Sequence, residues 1–404
     1  MSIINLCLWL YILLKPFYLF GSGNVQPSDL LIVVAFVCTI MTNKRTKIIN
    51  KHTIYVIIFF IFVLMINLIY YLQFNNYDFI HSTFYYFFIL LGIMVFNTKV
   101  QDKKFLEKCY YIFIINVIVQ GLIYIAGIGK YWMGTYRYMG TLTDPNQFAF
   151  FIFLCLMFLY ILENILIKKR KVLIYILGIV LIFFSSSTGM LLAVAMFLIA
   201  NLLMNKNYIH KFIRFLTSKK NLCILLIITL LFSYEVVIKD NWDNIVSFIN
   251  DNIVNSHIIK RTMEKFDKTA ESTDNLTQDR NLNILFDNME YSVFGAGEGY
   301  YMRFDRLGEI HSTLPSILFC YGIIPTLILS YWVFKNLKGI GIRNLVPYLA
   351  IFIESFTLVN HRQLLLWVLI MVAVNLKKET ISKNEENVID GKKKKLLLNN
   401  YTSL

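Results

Sequence analysis

Apolar runs long enough to cross a bilayer recur along almost the whole chain, and few features restrict a fold more. A bilayer core takes about 20 helical residues. Inside it every backbone polar group must be satisfied within the structure, which leaves helices or closed barrels. The runs here are continuous rather than alternating, so helices are expected. With 57% hydrophobic and 16% charged residues among 404, the balance lies far outside that of soluble domains. The predicted fold class is all-α, a polytopic integral membrane protein of about twelve transmembrane helices. The expected spans are 3–20, 28–42, 53–72, 79–96, 110–128, 147–167, 172–185, 188–204, 221–238, 312–334, 345–359 and 363–376.

The spans divide the chain into helices 1–9 over residues 1–238, a long extracytoplasmic loop over 239–311, helices 10–12 over 312–376 and a basic tail over 377–404. A net charge of +14 could point to nucleic acid, but its distribution points to a membrane. The cations fall in alternate loops, as in Lys44/Arg45/Lys47, Lys103/Lys104/Lys108 and Lys168 to Lys171, while the short loops 21–27 and 73–78 carry none. By the positive-inside rule the lysine-rich loops and both termini are cytoplasmic and the long loop is outside. The N-terminal stretch lacks a cationic n-region and a small-residue cleavage site, so it reads as a membrane helix rather than a cleaved signal. The six cysteines lie in or beside apolar runs, with no disulfide framework and no metal spacing. No paired outer carboxylates offer a divalent-ion site, so neither metal nor cofactor is expected.

Polar chemistry gathers in three outer segments. In the first, 129–146, Arg137 stands where the positive-inside rule disfavours a cation. It precedes Asp144-Pro145-Asn146, where Asp144 or Asn146 can cap a helix with Pro145 in its first turn. A helix N-terminus beside a guanidinium suits phosphate; the plainer reading is a surface arginine beside an ordinary cap.

In the long loop, Thr277 can open an amphipathic helix with an apolar face of Leu282, Leu285, Phe286 and Met289. That places Arg280 in a first turn, unfavourable unless an anion intervenes. Phe294-Gly-Ala-Gly-Glu-Gly299 lacks the Lys-Ser/Thr of a phosphate loop and reads as a tight reversal carrying Glu298. His311 stands at the mouth of the next apolar helix, where Gly322 and Pro325 allow a kink, and its imidazole can take a proton near neutral pH. Such a histidine can equally be a boundary residue. The third segment is the turn Asn360-His361-Arg362. Within the spans, Glu354 is the acid most in need of an internal partner.

These motifs, in order, resemble the O-antigen ligase and Wzy-type O-antigen polymerase superfamily of membrane glycosyltransferases. The resemblance covers about residues 130–330. It is carried by Arg137-x-x-Gly140 with Asp144-Pro145-Asn146, Ser185-Ser-Ser-Thr-Gly189, Asp279-Arg280, Gly295-x-Gly297-x-Gly299 and His311-Ser312 before a helix containing Gly322. Ser312 stands where the family often has Asn, and Thr188 where many members have Arg.

The resemblance implies a metal-independent glycosyltransferase of the bacterial cytoplasmic membrane. Its donor would be an undecaprenyl-diphosphate-linked oligosaccharide on the outer face. Catalytic roles would fall to His311, Arg280 and Arg137, and substrate contacts to Asn146, Asp144, Glu298, Arg303, His361 and Arg362. Membrane lipid and a chain-length regulator are the implied partners. The acceptor decides between a polymerase of capsule or O-antigen repeats and a ligase acting on lipid A core. The competing class is a lipid-linked oligosaccharide flippase, which would carry more polar residues within its spans and shorter loops.

Overall fold

A computed structural model describes residues 2–21, 24–42, 49–50, 53–133, 135–204, 281–299, 304 and 308–377. The predicted span 221–238, most of the long loop and the basic tail lie outside the described residues.

Helices dominate. In chain order they are α1 (Ile3–Leu14), α2 (Pro27–Met41), α3 (Thr53–Phe74), α4 (Asp78–Asn97), α5 (Lys103–Ile125), α6 (Pro145–Ile165), α7 (Val172–Ser185) and α8 (Thr188–Met204). After the undescribed stretch come two short pieces, α9 (Asn283–Asp287) and α10 (Tyr291–Phe294), then α11 (Thr313–Tyr321), α12 (Ile323–Leu337), α13 (Ile342–Glu354) and α14 (Leu364–Lys377). Four of them, α3, α4, α5 and α6, are long and apolar enough to cross a membrane; six others are apolar but shorter. The architecture is compatible with a membrane protein.

The sequence reading places these helices within a few residues and misses some ends. The first is shorter than expected, because the chain turns after Leu14 and Lys15 pairs with Asp29 at 2.8 Å across the α1–α2 connection. α5 starts seven residues before the expected 110, where Asp102 caps it by accepting from the N–H groups of Lys104 and Phe105. The expected span 312–334 is two helices, broken at Gly322.

Of the amphipathic helix expected from Thr277, residues 277–280 lie outside the described residues. Within the described part Asn281 takes a positive φ and the helical piece is Asn283–Asp287. Its buried residue is Ile284, while Phe286 and Met289 are exposed.

α6 is the core element, buried on all sides along nearly its whole length. α5, α7 and α8 pack around it, and α13 packs on α8. Phe113 of α5 stacks on Phe158 of α6 with ring centroids 4.3 Å apart. A second layer joins α3 to α4 and to α12. By contrast, rows of large apolar side chains on α2, α3 and α8 face outward, including Leu30, Val34, Ile61, Leu68, Leu192 and Ile199. A helix apolar on its outer face has no reason to stand in water.

Contacts between their ends sort the helices into two sets: Asn375 on Val100, Lys335 on Tyr55 and Lys168 on Glu107 at one, Thr141 on Pro16, Tyr70 on Gly295 and Ser312 on Phe356 at the other. One end gathers Lys103, Lys168 to Lys171, Lys335 and Lys338. The other gathers the loop after α1, the segment between α5 and α6, the α7–α8 turn, the Gly295–Gly299 turn and the α13–α14 turn.

Candidate functional site

The α5–α6 segment reaches that second end as a small hairpin, β1 (Lys130–Tyr131) paired antiparallel with β2 (Tyr138–Gly140). Tyr138 is its anchor. It is buried, with Tyr124 and Phe148 meeting it edge-on at 4.9 and 5.1 Å. Thr141 fixes the hairpin's exit, donating to the Pro16 carbonyl and accepting from Gln120. Neighbouring residues on a strand point to opposite faces, so sinking Tyr138 turns Arg137 the other way.

There the Arg137 guanidinium donates from Nη2 to Asn146 Oδ1 at 2.9 Å and from Nε to the Ser185 carbonyl at 3.3 Å. Both acceptors are uncharged, so these contacts orient the guanidinium without drawing on its charge. Asp144 is the N-cap of α6 and accepts from the N–H groups of Asn146 and Gln147 at 2.8 and 2.9 Å. The helix terminus is thus already capped by a side chain.

The glycine turn sits where α11 ends. Gly322 breaks the helix, and the freed carbonyls of Phe319 and Cys320 accept from the N–H groups of Ala296 and Gly297 at 2.7 and 2.9 Å. The backbones meet so closely that a Cβ at Gly295 would lie 2.6 Å from the Cys320 carbonyl, and one at Gly322 would lie 2.3 Å from that of Val293. Both residues also have positive φ, 89° and 77°. Only glycine satisfies space and dihedral together.

This docking delivers Glu298 into the bundle. Its N–H donates to Asn67 Oδ1 at 3.0 Å and its carboxylate accepts from Tyr321 at 2.8 Å. Arg362 completes the group, donating to Glu298 at 3.1 Å and to both oxygens of Glu309 at 3.1 and 2.5 Å. The Glu298 side chain is 4% exposed, against 25% for Arg362 and 35% for Glu309. Burial alone would lower the Arg362 pKa; the charges of Glu298 and Glu309 reverse that and hold it well above its ordinary value. Glu309, Asn67 and Tyr321 were not singled out by sequence reasoning. Glu309 had a local signal, two residues before His311; the others are joined to Glu298 only by the fold.

His311 is exposed. The two residues after it are stitched to the α13–α14 turn, Ser312 Oγ donating to the Phe356 carbonyl and Thr313 Oγ1 to that of Leu358, both at 2.7 Å. Glu354 meets its partner in the same turn, accepting from Asn360 Nδ2. The α7–α8 turn reaches it as well, since Gly189 packs directly on Thr357. The Arg137 group and the Glu298–Arg362–Glu309 group therefore adjoin one turn, 355–363.

His361 differs from both groups. It is 2% exposed, stacked on Tyr86, and neither ring nitrogen has a hydrogen-bond partner among the described residues. Burial, then the neighbouring Arg362 charge, pushes its pKa well below the ordinary value, so it is neutral. Arg280 and Arg303 lie outside the described residues. Among the described residues no three His, Cys, Asp or Glu are grouped to hold a metal.

Comparison of the chain with protein-family models, with curated proteins and with solved structures finds no match.

Proposed function

We propose that the chain is a metal-independent polysaccharide polymerase of the membrane. It would transfer a glycan from an undecaprenyl diphosphate carrier to a sugar hydroxyl at the outer face. The observation that carries this reading is that an oriented guanidinium, Arg137 on Asn146 and Ser185, shares one end of an apolar helical body with an exposed imidazole, His311.

The chemistry follows from what each group can do. As the bond between the donor sugar and the diphosphate breaks, negative charge grows on the leaving group. A diphosphate leaves without a general acid, so a fixed cation that strengthens its hold in the transition state is the main requirement. Arg137 supplies it, and the resemblance gives Arg280 the same role. His311 takes the proton of the acceptor hydroxyl as the new glycosidic bond forms. Arg362 is committed to two carboxylates, so its role is positional: it fastens the arm leading to His311 against the bundle. Asn146 acts through Arg137, and Asp144 through the helix it caps.

The test is deletion of the gene in its host, complementation with wild type, Arg137→Ala or His311→Ala, and gel analysis of surface polysaccharide. The expected result is a long-chain ladder restored by wild type alone, with both variants present in the membrane at normal level. Single repeats reaching the surface in the deletion strain identify a polymerase, and unmodified lipid A core with intact carrier-linked polymer identifies a ligase. Absence of any repeat outside the cell would instead mark a flippase.

A further inference from the structure

A second feature of this end does not belong to the transfer chemistry. α11 and α12 on one side and α13 and α14 on the other enclose a cavity of about 410 Å³. Its wall is apolar, built from residues such as Ile317, Leu329, Trp332, Leu349, Phe352 and Trp367. Three of its hydroxyls are spoken for by backbone carbonyls, Thr313 by Leu358, Thr326 by Gly322 and Ser355 by Phe352. His361 is the exception, lining the cavity with two unpartnered nitrogens. A buried polar group without a partner forfeits the hydrogen bond it had in water, which calls for an explanation such as a ligand.

Charge, length and opening select the occupant. A neutral imidazole offers one N–H and one lone pair, which suits an uncharged oxygen. The adjoining group sets two carboxylates, Glu298 and Glu309, against the single charge of Arg362, so a phosphate at this spot meets net repulsion. The lining residues of α12 run from Thr326 to Leu337. At about 1.5 Å per residue that is roughly 16 Å, close to half of a hydrocarbon core of about 30 Å. Leu349, Phe352 and Phe334 line the cavity and are themselves exposed, so it opens on the apolar flank of the bundle.

We propose that this cavity seats one acyl chain of a membrane glycerolipid, with His361 donating to the lipid's ester carbonyl. The site is separate from Arg137 and His311, and it stands or falls independently of the transferase reading.

Native mass spectrometry on the full chain, reconstituted from vesicles of phosphatidylglycerol and phosphatidylethanolamine, tests it. Wild type is expected to retain one glycerolipid per chain. His361→Phe keeps the stack on Tyr86 but loses the donor, and its retention is expected to fall about tenfold, the worth of one buried hydrogen bond. Leu349→Trp fills the open side from an exposed position and is expected to abolish retention without disturbing folding. A wild-type chain that carries no glycerolipid would overturn the proposal. So would both variants retaining lipid as wild type does, or a polyprenyl phosphate in the glycerolipid's place.

Discussion

Arg137 and His361 show how differently two polar side chains at one end of the bundle are held. Arg137 donates through a planar fork, Nη2 to Asn146 and Nε to Ser185, a geometry that lysine cannot reproduce. Arg137→Lys is therefore expected to behave like Arg137→Ala, losing at least about 100-fold in transfer rate, the scale of one preorganised electrostatic contact. A rate for the lysine variant near that of wild type, measured with a lipid-linked donor in vesicles, would mean that the charge alone suffices. For His361 the argument is one of proton linkage. Its folded pKa lies well below the ordinary value, while in the unfolded chain it titrates near pH 6.5. Between those two values the unfolded state binds the extra proton, so stability is complete above about pH 6.5 and declines as pH falls, by up to about 1.4 kcal/mol per pH unit. The apparent unfolding midpoint of wild type should consequently fall more between about pH 7.5 and pH 5 than that of His361→Phe. Equal falls would show that the imidazole is protonated in the folded chain.

Among the elements, the Gly295–Gly299 turn and the break at Gly322 act as one joint, because the carbonyls that the break frees are those the turn needs. Gly295→Ala sets a Cβ 2.6 Å from the Cys320 carbonyl and forces alanine to a φ of 89°. The dihedral alone costs about 1–3 kcal/mol, and the clash must be relieved by lifting the turn, which withdraws Glu298 from Arg362 and Tyr321. Gly295→Ala is thus expected to lower both the thermal midpoint and the transfer rate, whereas Gly339→Ala, whose Cβ meets nothing within 4 Å, should lose only stability. A Gly295→Ala chain with normal activity would show that the joint does not position the site. Half of this joint was legible in the sequence, since three alternating glycines announce a reversal and Gly322 a kink. That the two meet was not, because hydrogen bonds such as Ala296 to Phe319 and Gly297 to Cys320 join residues too far apart in the chain to leave a local pattern. The hairpin bearing Arg137 was equally hidden, its strands of two and three residues being too short for alternation to register. The face expected on Leu282, Leu285, Phe286 and Met289 holds in part: Leu282 and Leu285 pack against the core, while Phe286 and Met289 are exposed and Ile284 turns inward.

For the molecule as a whole, apolar runs and alternate basic loops made the helical body legible, because burial and charge asymmetry act on every span at once. They also fix what the two ends must be if the proposed function holds. The lysine-rich end should face the cytoplasm, and the end bearing Arg137, Glu309 and His311 the outside. Two exposed positions read this directly, His311 at one end and Lys338 at the other. Cysteine placed at each should be labelled by a membrane-impermeant maleimide in opposite circumstances. His311→Cys is expected to react in intact cells, and Lys338→Cys only after the membrane is opened. Among the described residues Cys7, Cys109, Cys155 and Cys320 are buried and Cys38 is partly so; Cys223 lies outside them, so the signal of the unsubstituted chain is measured in parallel and subtracted. If Lys338→Cys reacts in intact cells and His311→Cys does not, the charge asymmetry has been read in the wrong sense and an outward-facing transferase is excluded. If both react from one side, the two ends do not lie across a membrane from one another, and the sorting of the helix ends would have to be redrawn.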